Sequence, residues 1–97
     1  MNTEVKALHF SLKDEEKEYL EKKIARIRNA ENMITDLIFT FGKDANKHTG
    51  EASVKFKWGV QAIVKEDEFE VNALMDKLID KLESKITKEK EKKQDRR

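Results

Sequence analysis

The stretch Ala52-Ser53-Val54-Lys55-Phe56-Lys57-Trp58-Gly59-Val60-Gln61-Ala62-Ile63-Val64 decides how this chain reads. Its first half alternates strictly, with Ala52, Val54, Phe56 and Trp58 on one side and Ser53, Lys55 and Lys57 on the other. That is the two-residue period of a half-buried strand. Trp58-Gly59 marks a tight hairpin turn, after which Val60, Ala62 and Val64 resume the alternation. A hairpin with one apolar face must be covered on that face, so the flanking segments have to supply a second layer.

Toward the N-terminus, Ile34 to Phe41 alternates as well and puts Leu37, Phe39 and Phe41 on one side of another strand. Between the two, Gly42 to Gly50 reads as a polar loop containing Lys43, Lys47 and His48. Asp14 to Arg28 has helical spacing, with Leu20, Ile24 and Ile27 at i, i+4 and i+7, and Ser11 and Asp14 are both able to cap it. Asn29 to Asn32 is a polar turn, and Val5 to Phe10 has strand character, with Leu8 and Phe10 available for one face.

Toward the C-terminus, Asp67 and Glu70 form a capping-box pair before a long helix from Glu68 to about Lys93. Val71, Leu74, Met75, Leu78, Leu82 and Ile86 fall on one stripe of that helix at 100° per residue. The order is β-α-β-β-β-α, an α+β fold with a four-stranded sheet and two helices packed on one face. The last helix, at about 39 Å, outruns strands of about 20–27 Å. Beyond Ile86 lie six Lys/Arg and three Asp/Glu with no apolar residue, so this overhang is expected to fray until a partner arrives. The expected division is a single domain over 1–93 and a basic disordered tail over 94–97.

Composition limits what such a domain does. The chain has 97 residues, no cysteine and 42% charged residues, which excludes disulfides and thiolate metal sites. Periodic apolar patterns argue against disorder despite a mean hydropathy of −0.86. No apolar run reaches membrane-spanning length and the acidic start is not a signal peptide, so a soluble cytoplasmic protein is expected. The two histidines, His9 and His48, lack metal-ligand spacing, and three scattered glycines make no phosphate loop. Glu15-Glu16 and Asp67-Glu68 stand at helix starts, where the macrodipole accounts for them. No catalytic centre, metal or cofactor is expected.

The net charge of +1 conceals a sorted distribution, with −3 over residues 1–76 and +4 over residues 77–97. Lys77, Lys81, Lys85, Lys88, Lys92 and Arg96 gather on one shoulder of the last helix, with Asp76, Asp80, Glu83 and Glu91 on the far side. On the first helix Tyr19, Lys22, Lys23 and Arg26 share a shoulder opposite Asp14, Glu18 and Glu21. A solvated helix face accounts for generic lysines, but sorting of this kind calls for a polyanion, RNA first, bound with steep salt dependence. Lys47 and His48 in the polar loop suit a phosphate or a splayed base, or simply a flexible turn. Trp58 keeps phase with Val54 and Phe56, which favours the core over base stacking. Tyr19 stands between the core edge and RNA stacking.

With the topology and the basic helix in view, the chain resembles the short form of the ribosome hibernation-promoting factor and ribosome-associated inhibitor (sigma-54 modulation protein) family over nearly its whole length. Leu12-Lys13-Asp14 through Glu18-Tyr19-Leu20, with Lys23-Ile24-Ala25-Arg26-Ile27, resembles the family's first helix. His48-Thr49-Gly50-Glu51-Ala52-Ser53-Val54 resembles its entry into the third strand. Met75-Asp76-Lys77-Leu78-Ile79-Asp80-Lys81-Leu82, followed by Ile86-Thr87-Lys88-Glu89-Lys90, resembles its last helix.

The resemblance implies a fold similar to double-stranded-RNA-binding domains. It also implies a non-catalytic translation inhibitor docked in the small-subunit channel of messenger and transfer RNA, in stressed or stationary cells. The implied partners are the small ribosomal subunit and its rRNA, in competition with tRNA and mRNA, with no membrane and a monomer off the ribosome. Family rRNA contacts carry over to Lys23, Arg26, Lys81, Lys88, Lys90 and Lys92, and the shoulders add Lys22, Lys77 and Lys85. Three positions depart from the family pattern. Asn72 replaces an aromatic, Ser84 an arginine, and Glu89 the histidine of a Lys-His-Lys triplet. Two alternatives remain at this level: a protein-interaction module using Glu66, Asp67, Glu68 and Glu70, and a general double-stranded-RNA binder.

Overall fold

The computed structural model describes residues 1–95, and Arg96 and Arg97 lie outside the described residues. The elements are β1 (Asn2–Leu8), α1 (Asp14–Ile24), a 3-10 stretch (Arg28–Met33), β2 (Ile34–Asp44), β3 (Lys47–Phe56), β4 (Gln61–Glu68) and α2 (Val71–Asp95). The sheet order is β1-β2-β3-β4. β1 runs parallel to β2, as a strand–helix–strand crossover requires, and the other pairs are antiparallel. This is the expected β-α-β-β-β-α architecture.

The alternation seen in the sequence becomes one buried face: Leu37, Phe39 and Phe41 from β2, Ala52, Val54 and Phe56 from β3, and Val64 from β4. Leu20, Ile24 and Ile27 close over it, with Val71, Leu74, Met75, Leu78, Leu82 and Ile86 of α2, and Ile79 completes the stripe. A Cβ on Gly50 would stand 2.7 Å from Leu78 Cδ1. Glycine there lets α2 settle directly onto β3.

Five expectations are corrected. β1 ends at Leu8, two residues before Phe10, and Leu8 is 52% exposed because the parallel register opposite Gly42 turns it to the helix-free face. His9 then adopts φ 69°, which reverses the chain and returns Phe10 to the core edge. The expected polar loop 42–50 is mostly ladder, since Lys43 pairs with His48 and Asp44 with Lys47 around the left-handed Ala45. Lys47 and His48 therefore lie on β3 rather than in a loop. α1 stops at Ile24, and Arg28–Met33 forms 3-10 structure in place of a last helical turn and a simple polar turn. Its N-terminus is closed by Glu16, whose carboxylate accepts the Lys13 N–H at 2.8 Å, not by Ser11 or Asp14. Finally, Asp67 does not cap α2: it belongs to β4, pairs with Lys47, and the helix begins at Val71.

The two ends of α2 differ. Through Ile86 its apolar stripe lies on the sheet, and beyond it the stripe position is taken by Glu89, only 9% exposed. Glu89 Oε1 accepts the Trp58 indole N–H at 2.8 Å. Trp58 itself sits in the β3–β4 turn, partly buried against the core rather than within it, stacked on Phe56 at 5.3 Å between centroids. The turn is closed by Phe56 N–H to Val60 O at 2.8 Å, with Gly59 at φ 91°. The overhang thus has a polar anchor, and the molecule extends 48 Å along its longest axis.

Candidate nucleic-acid interface

Rotation about α2 places Lys77, Lys81, Lys85, Lys88 and Lys92 within about 80° of arc, on the side that borders β4. Lys81, Lys85 and Lys88 line a groove there with Ile63, Val64, Lys65, Asp80 and Ser84. The row is not uniformly available. Lys77 is paired with Glu68, and Lys81 with Glu66 while also donating to Lys65 O at 3.3 Å. The Lys77 hydrogen bond holds the Glu68 carboxyl below the usual range, and Lys81 does the same to Glu66. The Glu68 carboxylate in turn raises the Lys77 ammonium. Among the described residues no carboxylate pairs with Lys85 or Lys88.

The α1 shoulder behaves differently. Asp76, Asp80 and Glu83, read from the sequence as the far side of α2, face α1. Tyr19 Oη donates to Asp76 Oδ1 at 2.7 Å, and Lys23 Nζ lies 3.1 Å from the same oxygen. The Lys23 ammonium also sits 5.4 Å from the Tyr19 ring centroid. Arg26 bridges Asp80, at 3.3 Å, and Glu83. Burial pushes the Asp76 carboxyl up, but the hydrogen bonds from Tyr19 and Lys23 outweigh it and leave its pKa lowered. The Asp76 bond raises both Tyr19 and Lys23. Tyr19 is therefore a helix-to-helix contact at the core edge.

The expected site residues do not converge on one surface. Lys77, Lys81, Lys85, Lys88 and Lys92 share the β4 side. Lys90 lies half a turn from Lys81, beside Arg26 in a cleft with Glu83 and Thr87. Lys22 is exposed next to the Lys23–Arg26 network. Lys47 and His48 stand at the far end of the sheet: Lys47 reaches Asp67 at 3.7 Å and covers the Phe69 ring, and His48 Nδ1 meets Phe69 O at 2.8 Å. Arg96 falls outside the described residues. Sequence reasoning missed Glu66 and Glu68 as partners of the ridge. Their signal was parity, since they follow Val64 at i+2 and i+4 and so share its helix-facing side.

Comparison with known proteins places this arrangement. The model of the family described as sigma 54 modulation protein / S30EA ribosomal protein matches residues 3–94. The chain belongs to this family. No curated protein matches it. Two solved structures share the fold of this S30EA member. A ribosomal subunit interface protein from Coxiella burnetii superposes with a TM-score of 0.84 at 23% identity, covering 93% of this chain and 98% of the other. The Protein Y N-terminal domain of Thermus thermophilus gives 0.78 at 22% identity, covering 91% and 98%. For an S30EA protein, a lysine row on the longest helix is the feature that chemistry directs toward a polyanion. Among the described residues no helix is long and apolar enough to cross a membrane, and no cluster of His, Asp and Glu is arranged to hold a metal ion.

Proposed function

We propose that this S30EA protein is a non-catalytic, ribosome-binding translation inhibitor of the hibernation type. It docks on small-subunit rRNA in the channel used by mRNA and tRNA, and excludes tRNA sterically under stress or in stationary phase. The observation that carries this reading is the row Lys77, Lys81, Lys85, Lys88 and Lys92 along α2, in a family described as ribosomal. Lys22, Lys23, Arg26 and Lys90 form a second set of phosphate contacts on the α1 side. Phosphate contacts position such a domain while carrying little sequence information, which suits a helix of lysines. The protein-interaction alternative is weakened by three of its four acidic residues, Glu66, Asp67 and Glu68, being engaged by lysines of the same chain.

Cosedimentation of the purified protein with small subunits, at two salt concentrations and with or without deacylated tRNA, tests the reading. Salt-sensitive binding that tRNA displaces is expected. Lys81→Glu, Lys85→Glu and Lys88→Glu together should release the protein from subunits with its circular dichroism unchanged. Persistent cosedimentation of the folded triple variant at moderate salt would show that the ridge is not the docking surface.

A further inference from the structure

Trp58 is the chain's only tryptophan, and its setting is not that of an ordinary core ring. Phe56 stacks on one face, at 5.3 Å between centroids and 16° between planes. The indole N–H is satisfied by Glu89 Oε1 at 2.8 Å, so the ring is held in one orientation and its polar edge is already occupied. The Lys93 ammonium also stands over the ring, 5.0 Å from its centroid. Lys93 is exposed, and a solvated lysine over an aromatic face is a weak, replaceable cover. A flat ring fixed by a stack and a hydrogen bond, and covered by a loose cation, is suited to accept another flat ring.

The surrounding charge selects the kind of ring. Lys57 precedes Trp58 in the turn, and Lys88, Lys90, Lys92 and Lys93 are carried past it by α2. Phe69, 61% exposed at the opposite end of β4, also carries a lysine over its ring, Lys47 at 5.5 Å from the centroid, but Asp67, Glu68 and Glu70 flank it. Acids predominate in sequence around Phe69 and lysines around Trp58, so a phosphate-bearing ligand is drawn more strongly to Trp58.

We infer that the outer face of Trp58 is a seat for one unpaired base of a single-stranded RNA segment. The base displaces the Lys93 ammonium from the ring, and that ammonium then pairs with the adjacent phosphate. This inference rests on the RNA-docking reading above and adds to it a stacking contact that the lysine ridge lacks.

Because Trp58 is the sole tryptophan, intact protein reports on it directly. Its emission is followed while an end-labelled oligouridylate is titrated and the label's anisotropy records binding. Inorganic polyphosphate, a polyanion without bases, is the control. Quenching that tracks the oligouridylate isotherm and is absent with polyphosphate is expected. Trp58→Leu should weaken oligouridylate binding about 10-fold with an unchanged salt slope, and Trp58→Phe should retain most of the affinity. Lys93→Ala should keep the quenching and flatten the slope by about 0.7.

Binding without quenching overturns the stacking seat and leaves the ridge standing, as does equal quenching by polyphosphate, which would report only displacement of Lys93. No anisotropy change at low salt overturns the seat and the RNA reading together. The wild-type titration decides the matter even if Trp58→Leu fails to fold.

Discussion

Glu89 shows how one side chain changes meaning once its neighbours are known. In the sequence it is an acid where the family pattern has a histidine, an apparent loss of positive charge from an RNA face. In the fold it turns inward, 9% exposed, and accepts the Trp58 indole N–H at 2.8 Å. A charged acceptor in a half-dry setting makes a stronger hydrogen bond than a neutral one. Glu89→Ala removes that acceptor and orphans the indole donor, so a loss of about 1–3 kcal/mol is expected. Glu89→Gln keeps a carbonyl oxygen in place and should cost less than half as much. Urea unfolding followed by Trp58 emission measures both. Equal midpoints for the wild type and Glu89→Ala would mean that the bond contributes nothing to holding the end of α2. The partner could not be read from the sequence, because position 89 lies on the apolar stripe and only the β3–β4 turn explains a charge there.

At the scale of elements, the α1–α2 seam is held by polar contacts as well as by Leu20, Ile24 and Ile27. Asp76 is its centre, accepting from Tyr19 Oη at 2.7 Å with Lys23 Nζ at 3.1 Å. Its carboxyl titrates below its ordinary value of 3.8 in the folded state. The unfolded chain therefore binds more protons between the two values. The contribution of Asp76 to stability is present above the unfolded value and is lost as pH falls through the folded one. Asp76→Asn should be less stable than the wild type at pH 7, with the gap in urea midpoint closing between about pH 5 and pH 3. A gap that stays constant over that range would show that the seam does not depend on the Asp76 charge. The seam also marks where sequence reading stopped. Period-2 and period-3.6 apolar patterns placed β2, β3, β4 and both helices, because burial of one face dictates them. β1 and the β2–β3 hairpin were misjudged because their boundaries rest on positive φ at His9 and Ala45, residue types that do not advertise a turn. The helix shoulders were sorted correctly into acid and base, but sorting alone does not say which shoulder meets a neighbouring element and which meets solvent.

Across the whole molecule, the candidate interface is shaped as much by internal carboxylates as by lysines. The charge of −3 over residues 1–76 and +4 over residues 77–97 is spread along a body 48 Å long, so the basic end of α2 leads toward a polyanion. Nearer the start of that helix, Glu66 and Glu68 already hold Lys81 and Lys77, in the way that RNA phosphates would. An incoming strand must displace those carboxylates before it gains the two lysines, while Lys85 and Lys88 have no such competitor among the described residues. Glu66→Gln with Glu68→Gln removes both charges and keeps the side-chain shape. Each lysine released to a phosphate steepens the dependence of log affinity on log salt by about 0.7 for a single strand or 0.9 for a duplex. The double variant should therefore bind small subunits more tightly at low salt, with a slope steeper by roughly 1.5. Lys85→Gln with Lys88→Gln should shift the slope by a similar amount in the opposite direction. Binding isotherms at four or five salt concentrations separate these outcomes. An unchanged slope in the Glu66 and Glu68 double variant would mean that Lys77 and Lys81 stay outside the RNA contact and that the interface is confined to the distal half of α2, next to Trp58.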